Sequence, residues 1–115
     1  MATEIGHRVA DLADGIDSLG KTSFANRLRE VSYRISGILA EGSSCPTKPE
    51  FAVFVSHARG ATLEIANLII FFSERELISE EDESNLVNML KRESKMLDNF
   101  RQSLERAGKP DPVGA

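Results

Sequence analysis

The feature that most constrains the fold is a helical hairpin signal between Phe24 and Glu64, with its turn at Ala40-Glu41-Gly42. Before the turn, apolar residues recur at spacings of three and four, which is the pattern of one helix face. Afterwards, Ser43-Ser44-Cys45-Pro46 cannot continue a helix, and Thr47-Lys48-Pro49-Glu50 has the form of a capping box that starts a new one. The same spacing then resumes in Phe51, Phe54, Val55, Ala58, Ala61 and Ile65. We predict two long helices folded back on each other.

Two further helices flank this hairpin. Residues 1–20 carry one apolar face, made by Ile5, Val9, Leu12, Ile16 and Leu19. Near the other end, Ser79 precedes a run of acidic residues that suit the positive end of a helix dipole. The last helix then carries Leu86, Leu90, Leu97 and Leu104. The sequence predicts an all-α, antiparallel up-and-down four-helix bundle over residues 1–107, with a disordered C-terminal tail over 108–115.

The helix ends of the hairpin follow from caps and breakers. We expect the second helix to begin at Ser23, capped by Thr22 or Ser23, and to end at Gly42 in a left-handed conformation. The third helix is expected from Lys48 to Glu74. Gly37 lies inside the second helix, where it either admits another helix closely or is a tolerated weak spot.

Composition limits the class of protein. The chain has 115 residues, a formal net charge of -4 and one cysteine, Cys45, so it holds no internal disulfide framework. We expect a cytoplasmic protein, because the N-terminus lacks a signal-peptide pattern. The longest apolar run, 68–72, is too short to span a bilayer, so no membrane partner is expected.

The third helix has more apolar surface than one packed face needs. Its second half is apolar around most of its circumference. If one face packs inside the domain, Ile70 and Phe71 are expected to remain uncovered on the other face. We interpret this surplus as a homo-oligomer interface. The alternative is that the other helices of the same chain wrap the third helix more completely.

Three stretches in fixed order carry a family resemblance: residues 34–42, then Lys48-Pro49-Glu50-Phe51, then residues 58–64. Together they resemble the small bacterial four-helix-bundle proteins found as reading frames inside intervening sequences of large-subunit ribosomal RNA genes. The chain is also similar to a related branch, the accessory variability determinant of diversity-generating retroelements. The resemblance covers about Val9 to Leu104.

The resemblance implies a ring-like homopentamer without enzymatic activity. For the retroelement branch it also implies binding to RNA and to a reverse transcriptase. Our leading hypothesis is therefore a non-enzymatic oligomeric scaffold that docks an RNA or protein partner. The alternative is an RNA-binding accessory factor that works with a reverse transcriptase and contacts nucleic acid through Arg27 and Arg29 in the second helix.

Several polar residues are candidates for pairing between helices. Glu41 and Glu64 belong to the matched stretches, and Glu41 is expected to pair with Arg59 across the hairpin. Both carboxylates could instead line a groove between the second and third helices or face a neighbouring subunit. Glu93 interrupts the apolar stripe of the last helix, which predicts a polar layer with Arg34 or His57 as its cation.

The sequence offers little support for chemistry. Glu4 and His7 have the Glu-x-x-His spacing of bundle di-iron sites, but such a site needs a second copy that the chain lacks. His57 is expected to be a hydrogen-bonded core histidine, and Cys45 an exposed spectator in a turn. We predict no cofactor, no metal and no enzymatic activity.

Overall fold

The structure is a computed structural model that describes residues 2–108, with side chains described from Ile5 onward. Four α-helices make up the described residues: α1 (Ala2–Ser18), α2 (Thr22–Ser43), α3 (Lys48–Glu74) and α4 (Glu80–Ala107). Each helix packs against the next along the chain, and α1 meets α4 along a sparser seam. The predicted all-α four-helix architecture is confirmed. The predicted tail, apart from Gly108, lies outside the described residues.

The caps of α3 and α4 form as the sequence predicts. The Thr47 side chain accepts a hydrogen bond from the Glu50 amide at 3.3 Å and donates one to the Glu50 carboxylate at 2.9 Å. Ser79 accepts one from the Asp82 amide at 3.1 Å. Each cap satisfies an amide that has no partner inside its own helix, so both helices begin where a side chain can replace the missing carbonyl.

The predicted ends of α2 are wrong in detail. Lys21 occupies the N-cap position without a side-chain cap, and Thr22 lies in the first turn, where its hydroxyl donates to Asp17 at 2.7 Å. At the other end the helix continues through Gly42 to Ser43, and Ser44 is a right-handed C-cap. Gly42 therefore does not end the helix.

Gly42 has a packing role that the sequence assigned ambiguously to Gly37. A Cβ atom at Gly42 would lie 2.7 Å from the Phe54 Cβ and 2.8 Å from the Phe51 ring, so only glycine fits against α3 here. A Cβ at Gly37 meets nothing within 4 Å. Of the two interpretations of Gly37, the tolerated weak spot is the one that agrees with the structure.

The core falls into two clusters along the bundle axis. The larger cluster takes residues from all four helices and includes Ile16, Leu28, Ile65, Phe72 and Leu90. The smaller cluster consists of residues from α3 and α4, with partly buried residues of α2 packed against it: Ala52, Val55, Ala58, Leu97 and Leu104, then Ile35, Ile38, Leu39 and Phe51. One end of the bundle is thus built from four helices and the other from three.

The length of α1 explains this division. Seventeen residues give α1 a length of about 26 Å, whereas the 28 residues of α4 span about 42 Å. Ile5, Val9 and Ile16 are buried as predicted, but Leu19 follows the last residue of α1 and remains exposed. Within residues 2–108, no helix is long and apolar enough to cross a membrane.

Candidate functional site

The outward side of α3 carries exposed apolar residues in a regular repeat. Ile70 and Phe71, the predicted interface residues, are exposed, and so are two residues that the sequence analysis did not single out, Val53 and Leu63; the four side chains are between 37% and 54% exposed. The spacing of three and four joins them into one line through Val53, Ser56, Gly60, Leu63, Asn67 and Ile70. We call this line, together with Phe71, the α3 outer face.

The α3 outer face has the heptad pattern by which helices pair. Alternating steps of three and four keep the line on one side of the helix, as in the seam of a coiled coil. A Cβ atom at Gly60 would meet none of the other described helices within 4 Å, so another backbone can approach it. Asn67 places one amide among apolar neighbours, an arrangement that fixes register in coiled coils. The heptad spacing was visible in the sequence, but only the structure shows that the helices of residues 2–108 leave this side open.

Glu64 borders this face and clamps α3 to α2. Its two carboxylate oxygens accept hydrogen bonds from different arginines, 2.7 Å from Arg27 and 2.5 Å from Arg34. The two arginines lie seven residues apart on one side of α2, so one carboxylate can bridge them. Arg34, predicted to pair with Glu93, is engaged here instead.

Arg29 makes the corresponding connection from α2 to α1. Its guanidinium donates to Asp14 at 2.6 Å and to Asp17 at 3.1 Å. The hydrogen bond from the Thr22 hydroxyl, followed by that from Arg29, lowers the pKa of Asp17 below its ordinary value. The two carboxylates raise the pKa of Arg29. Arg27 and Arg29, the predicted nucleic-acid contacts, are thus both held by carboxylates of their own chain.

The expected pair between Glu41 and Arg59 is absent from the described side chains. Glu41 is exposed in the last turn of α2, where its carbonyl accepts from the Ser44 hydroxyl at 2.8 Å. Arg59 lies toward α4, where its charge contributes to lowering the pKa of Asp98. Arg59 and Glu64 are five residues apart, a rotation of about 140°, so Arg59 points away from the α2 side of α3.

Glu93 reaches the interior without the predicted cation. Its side chain lines a cavity of about 80 Å³ together with Ile5 of α1, Ile35 and Leu39 of α2 and other residues. This cavity lies near the N-terminal end of α1. Its Oε2 atom is buried and has no hydrogen-bond partner among the described residues. The second proposed partner, His57, is exposed, with its ring centroid 6.3 Å from that of Phe54, so the prediction of a core histidine is wrong.

The candidate metal and thiol residues are scattered. His7 is exposed on α1, and the Glu4 side chain lies outside the described residues. Among the described residues, no three His, Cys, Asp or Glu side chains form a group that could hold a metal ion. Cys45 is half-buried, and its sulfur lies 3.7 Å from the Glu41 carbonyl oxygen, a contact that ties it to the end of α2.

A comparison with protein families gives a match over most of the chain. The family model described as 23S rRNA-intervening sequence protein matches residues 1–99, which is most of the chain. No curated protein sequence and no solved structure matches significantly. The matched range includes α1, α2, α3, the α3 outer face and the first two thirds of α4.

Proposed function

The chain belongs to the 23S rRNA-intervening sequence protein family, and from this premise we propose that it is a non-enzymatic oligomeric scaffold of the cytoplasm. Copies associate through the α3 outer face, and the assembly presents its remaining surfaces to a partner. The exposed apolar heptad line on α3 is the observation that carries this proposal.

The chemistry of the α3 outer face favours a second copy of the chain as its occupant. Val53, Leu63 and Ile70 are spaced so that an equivalent helix can insert its own apolar side chains between them. Covering such residues removes apolar surface from water, which stabilises an assembly by about 25 cal/mol for each Å² buried. The ring of five subunits implied by the family resemblance is the form of assembly that we propose.

The distribution of perturbed titratable groups supports a role without catalysis. The aspartates with lowered pKa values, Asp17 and Asp98, lie in partly buried ion pairs with Arg29 and Arg101 instead of in a cleft. Catalytic acids and bases more often owe their shifts to burial or to like charges in a cavity. These shifts therefore have structural causes.

Measurement of molar mass in solution tests the scaffold. Light scattering coupled to size exclusion is expected to give a multiple of the 12.6 kDa chain mass for the native protein. The double variant Leu63→Glu with Ile70→Glu is expected to be a folded monomer, because two carboxylates on the heptad line repel those of a neighbouring copy.

The matched control is Tyr33→Glu, which changes an exposed aromatic residue on α2. We expect this variant to keep the native molar mass. A monomeric native protein at micromolar concentration would refute the proposal, and so would a Leu63→Glu, Ile70→Glu variant that assembles like the native protein.

The alternative, an RNA-binding accessory factor that works with a reverse transcriptase, has less support at the residues first considered. Arg27 and Arg29 already donate to Glu64, Asp14 and Asp17. A phosphate that bound either arginine would have to share its guanidinium with a carboxylate, whose negative charge opposes the phosphate. Cations without such a carboxylate are therefore better candidates for an RNA contact.

A further inference from the structure

The outward side of α4 is positively charged, although the chain as a whole is acidic. Four cationic side chains are exposed there: Lys91, Arg92, Lys95 and Arg106. Asn88 and Asn99 share the same side, because steps of four, three, four and seven through 88, 92, 95, 99 and 106 follow the helical repeat. We call these six residues the α4 basic face.

The acidic residues of α4 are turned away from this face or lie at the start of the helix. Glu80 to Glu83 occupy the first turn, and Glu93 points into the bundle interior. Asp98 and Glu105 accept hydrogen bonds from Arg101 on the flank of the helix. Acidic and basic residues are mixed along the sequence of α4. They separate onto different sides only when the segment is helical, so the net charge of the segment does not reveal the basic side.

The cations of the α4 basic face are available, in contrast to the arginines of α2. Among the described side chains, none of Lys91, Arg92, Lys95 and Arg106 forms an ion pair with a carboxylate. Arg27, Arg29 and Arg34 each form at least one. The same residue types are therefore used for internal bracing on α2 and are presented to solvent on α4.

We infer that the α4 basic face binds nucleic acid through its phosphate backbone. Lys91 and Arg106 are about 22 Å apart along the helix, so the cations form an extended line that can follow successive phosphates. Asn88 and Asn99 add amide donors and acceptors that suit phosphate and sugar oxygens. This inference does not depend on self-association, because a single chain already carries the complete α4 basic face.

Other anionic partners fit less well. A membrane-bound helix needs a large apolar face beside its basic one, and the exposed apolar residues next to this face are Met96 and Phe100. The net charge of -4 is distributed so that the face itself stays basic. The acidic first turn ends at Glu83, about 12 Å from Lys91 along the axis and beyond the Debye length of about 10 Å in 0.1 M salt. Asp98 is nearer, but its charge is paired on the flank of the helix.

Fluorescence anisotropy with labelled oligouridine and labelled duplex RNA tests the inference. The variant is Lys91→Gln, Arg92→Gln, Lys95→Gln. We expect at least about tenfold weaker binding at low salt and a fall of about 2 in the slope of log affinity against log salt, because three phosphate contacts are lost. The control Lys21→Gln, Lys48→Gln, Arg75→Gln removes the same charge from exposed positions outside α4.

Binding by the native protein and by the control variant, together with loss in the α4 variant, supports the inference. Equal affinity for a matched DNA strand also supports it, since the phosphate backbone is common to both polymers. Equal losses in the two variants would show an effect of net charge and overturn it. Tighter binding to polyglutamate or to phosphatidylserine vesicles, or no binding of the native protein at low salt, would overturn it as well. Circular dichroism confirms in each case that the variant is folded.

Discussion

Two phenylalanine pairs of nearly the same geometry mark the difference between the two ends of the bundle. At the four-helix end, Phe24 and Phe72 meet edge to face with ring centroids 5.4 Å apart. At the three-helix end, Phe51 and Phe100 meet in the same way at 5.3 Å. Phe72 is 1% exposed, whereas Phe100 is 42% exposed. The two aromatic contacts are thus alike, but the four-helix end buries its ring and the three-helix end leaves its ring partly exposed to solvent.

The difference follows the reach of α1, which packs beside Phe72 and not beside Phe100, although Val55 and Ala58 at the three-helix end are also fully buried. The aromatic contact itself contributes a similar amount at both ends, about 0.5–1.5 kcal/mol. What changes is the apolar area removed from water, because α1 covers only the end that contains Phe72. We therefore expect the four-helix end to dominate the free energy of unfolding.

The largest expected effect comes from the same truncation made at each end. Leu28→Ala, at a fully buried position of the larger cluster, is expected to lower the free energy of unfolding by about 4 kcal/mol. Leu97→Ala, in the smaller cluster, is expected to cost about 2 kcal/mol, because solvent can fill part of the space. Urea denaturation followed by circular dichroism measures both. Equal losses would contradict the difference between the ends.

A second pair of substitutions tests the close contact at the three-helix end. Gly42→Ala is expected to cost about 1–2 kcal/mol, because the new methyl group overlaps the Phe54 Cβ, which cannot move without the backbone. Gly37→Ala, on the same helix but facing open space, is expected to gain about 0.5–1 kcal/mol from helix propensity. Thermal unfolding compares the two variants. A gain in both would show that α2 and α3 are farther apart than in the structure.

The smallest effect is expected at the boundary between the two ends, where Glu93 lies beside Ile5 and Leu39. Glu93→Leu is expected to raise the free energy of unfolding by about 1 kcal/mol, because it removes a buried acceptor that has no partner among the described residues. Glu93→Gln keeps a polar group there and serves as the control, with no gain expected. A clear loss in Glu93→Leu would reveal a cation bound to the carboxylate in solution.

Much of the fold was predictable from local signals. The bounds of α3 agree with the prediction at both ends, because Thr47 is a strong cap and Pro49 suits the first turn. The end of α2 was not predictable from Gly42 alone. Glycine permits both a left-handed stop and a close approach, and the neighbouring phenylalanines of α3 selected the second.

The polar pairs were harder to predict than the apolar faces. Glu64 pairs with Arg27 and Arg34. By residue type alone, Arg59 is an equally suitable cation for Glu64, and Glu41 is an equally suitable carboxylate for the two arginines. The charge of a residue does not show which way its side chain points around the helix. A shift of a few residues between two packed helices brings a different partner into reach. The open side of α3 was predicted only at Ile70 and Phe71, and the structure extended it to Val53 and Leu63. Their role as an interface stays a prediction.

The sequence by itself determined four helices, the hairpin turn and the apolar face of each helix, because periodicity and capping act over a few residues. Only the tertiary structure decided which carboxylate each arginine of α2 binds and which side of α3 the other described helices leave open. It also decided that the cations of α4 face solvent together. These outcomes depend on how far each helix extends and rotates against its neighbours, which no local stretch of sequence specifies.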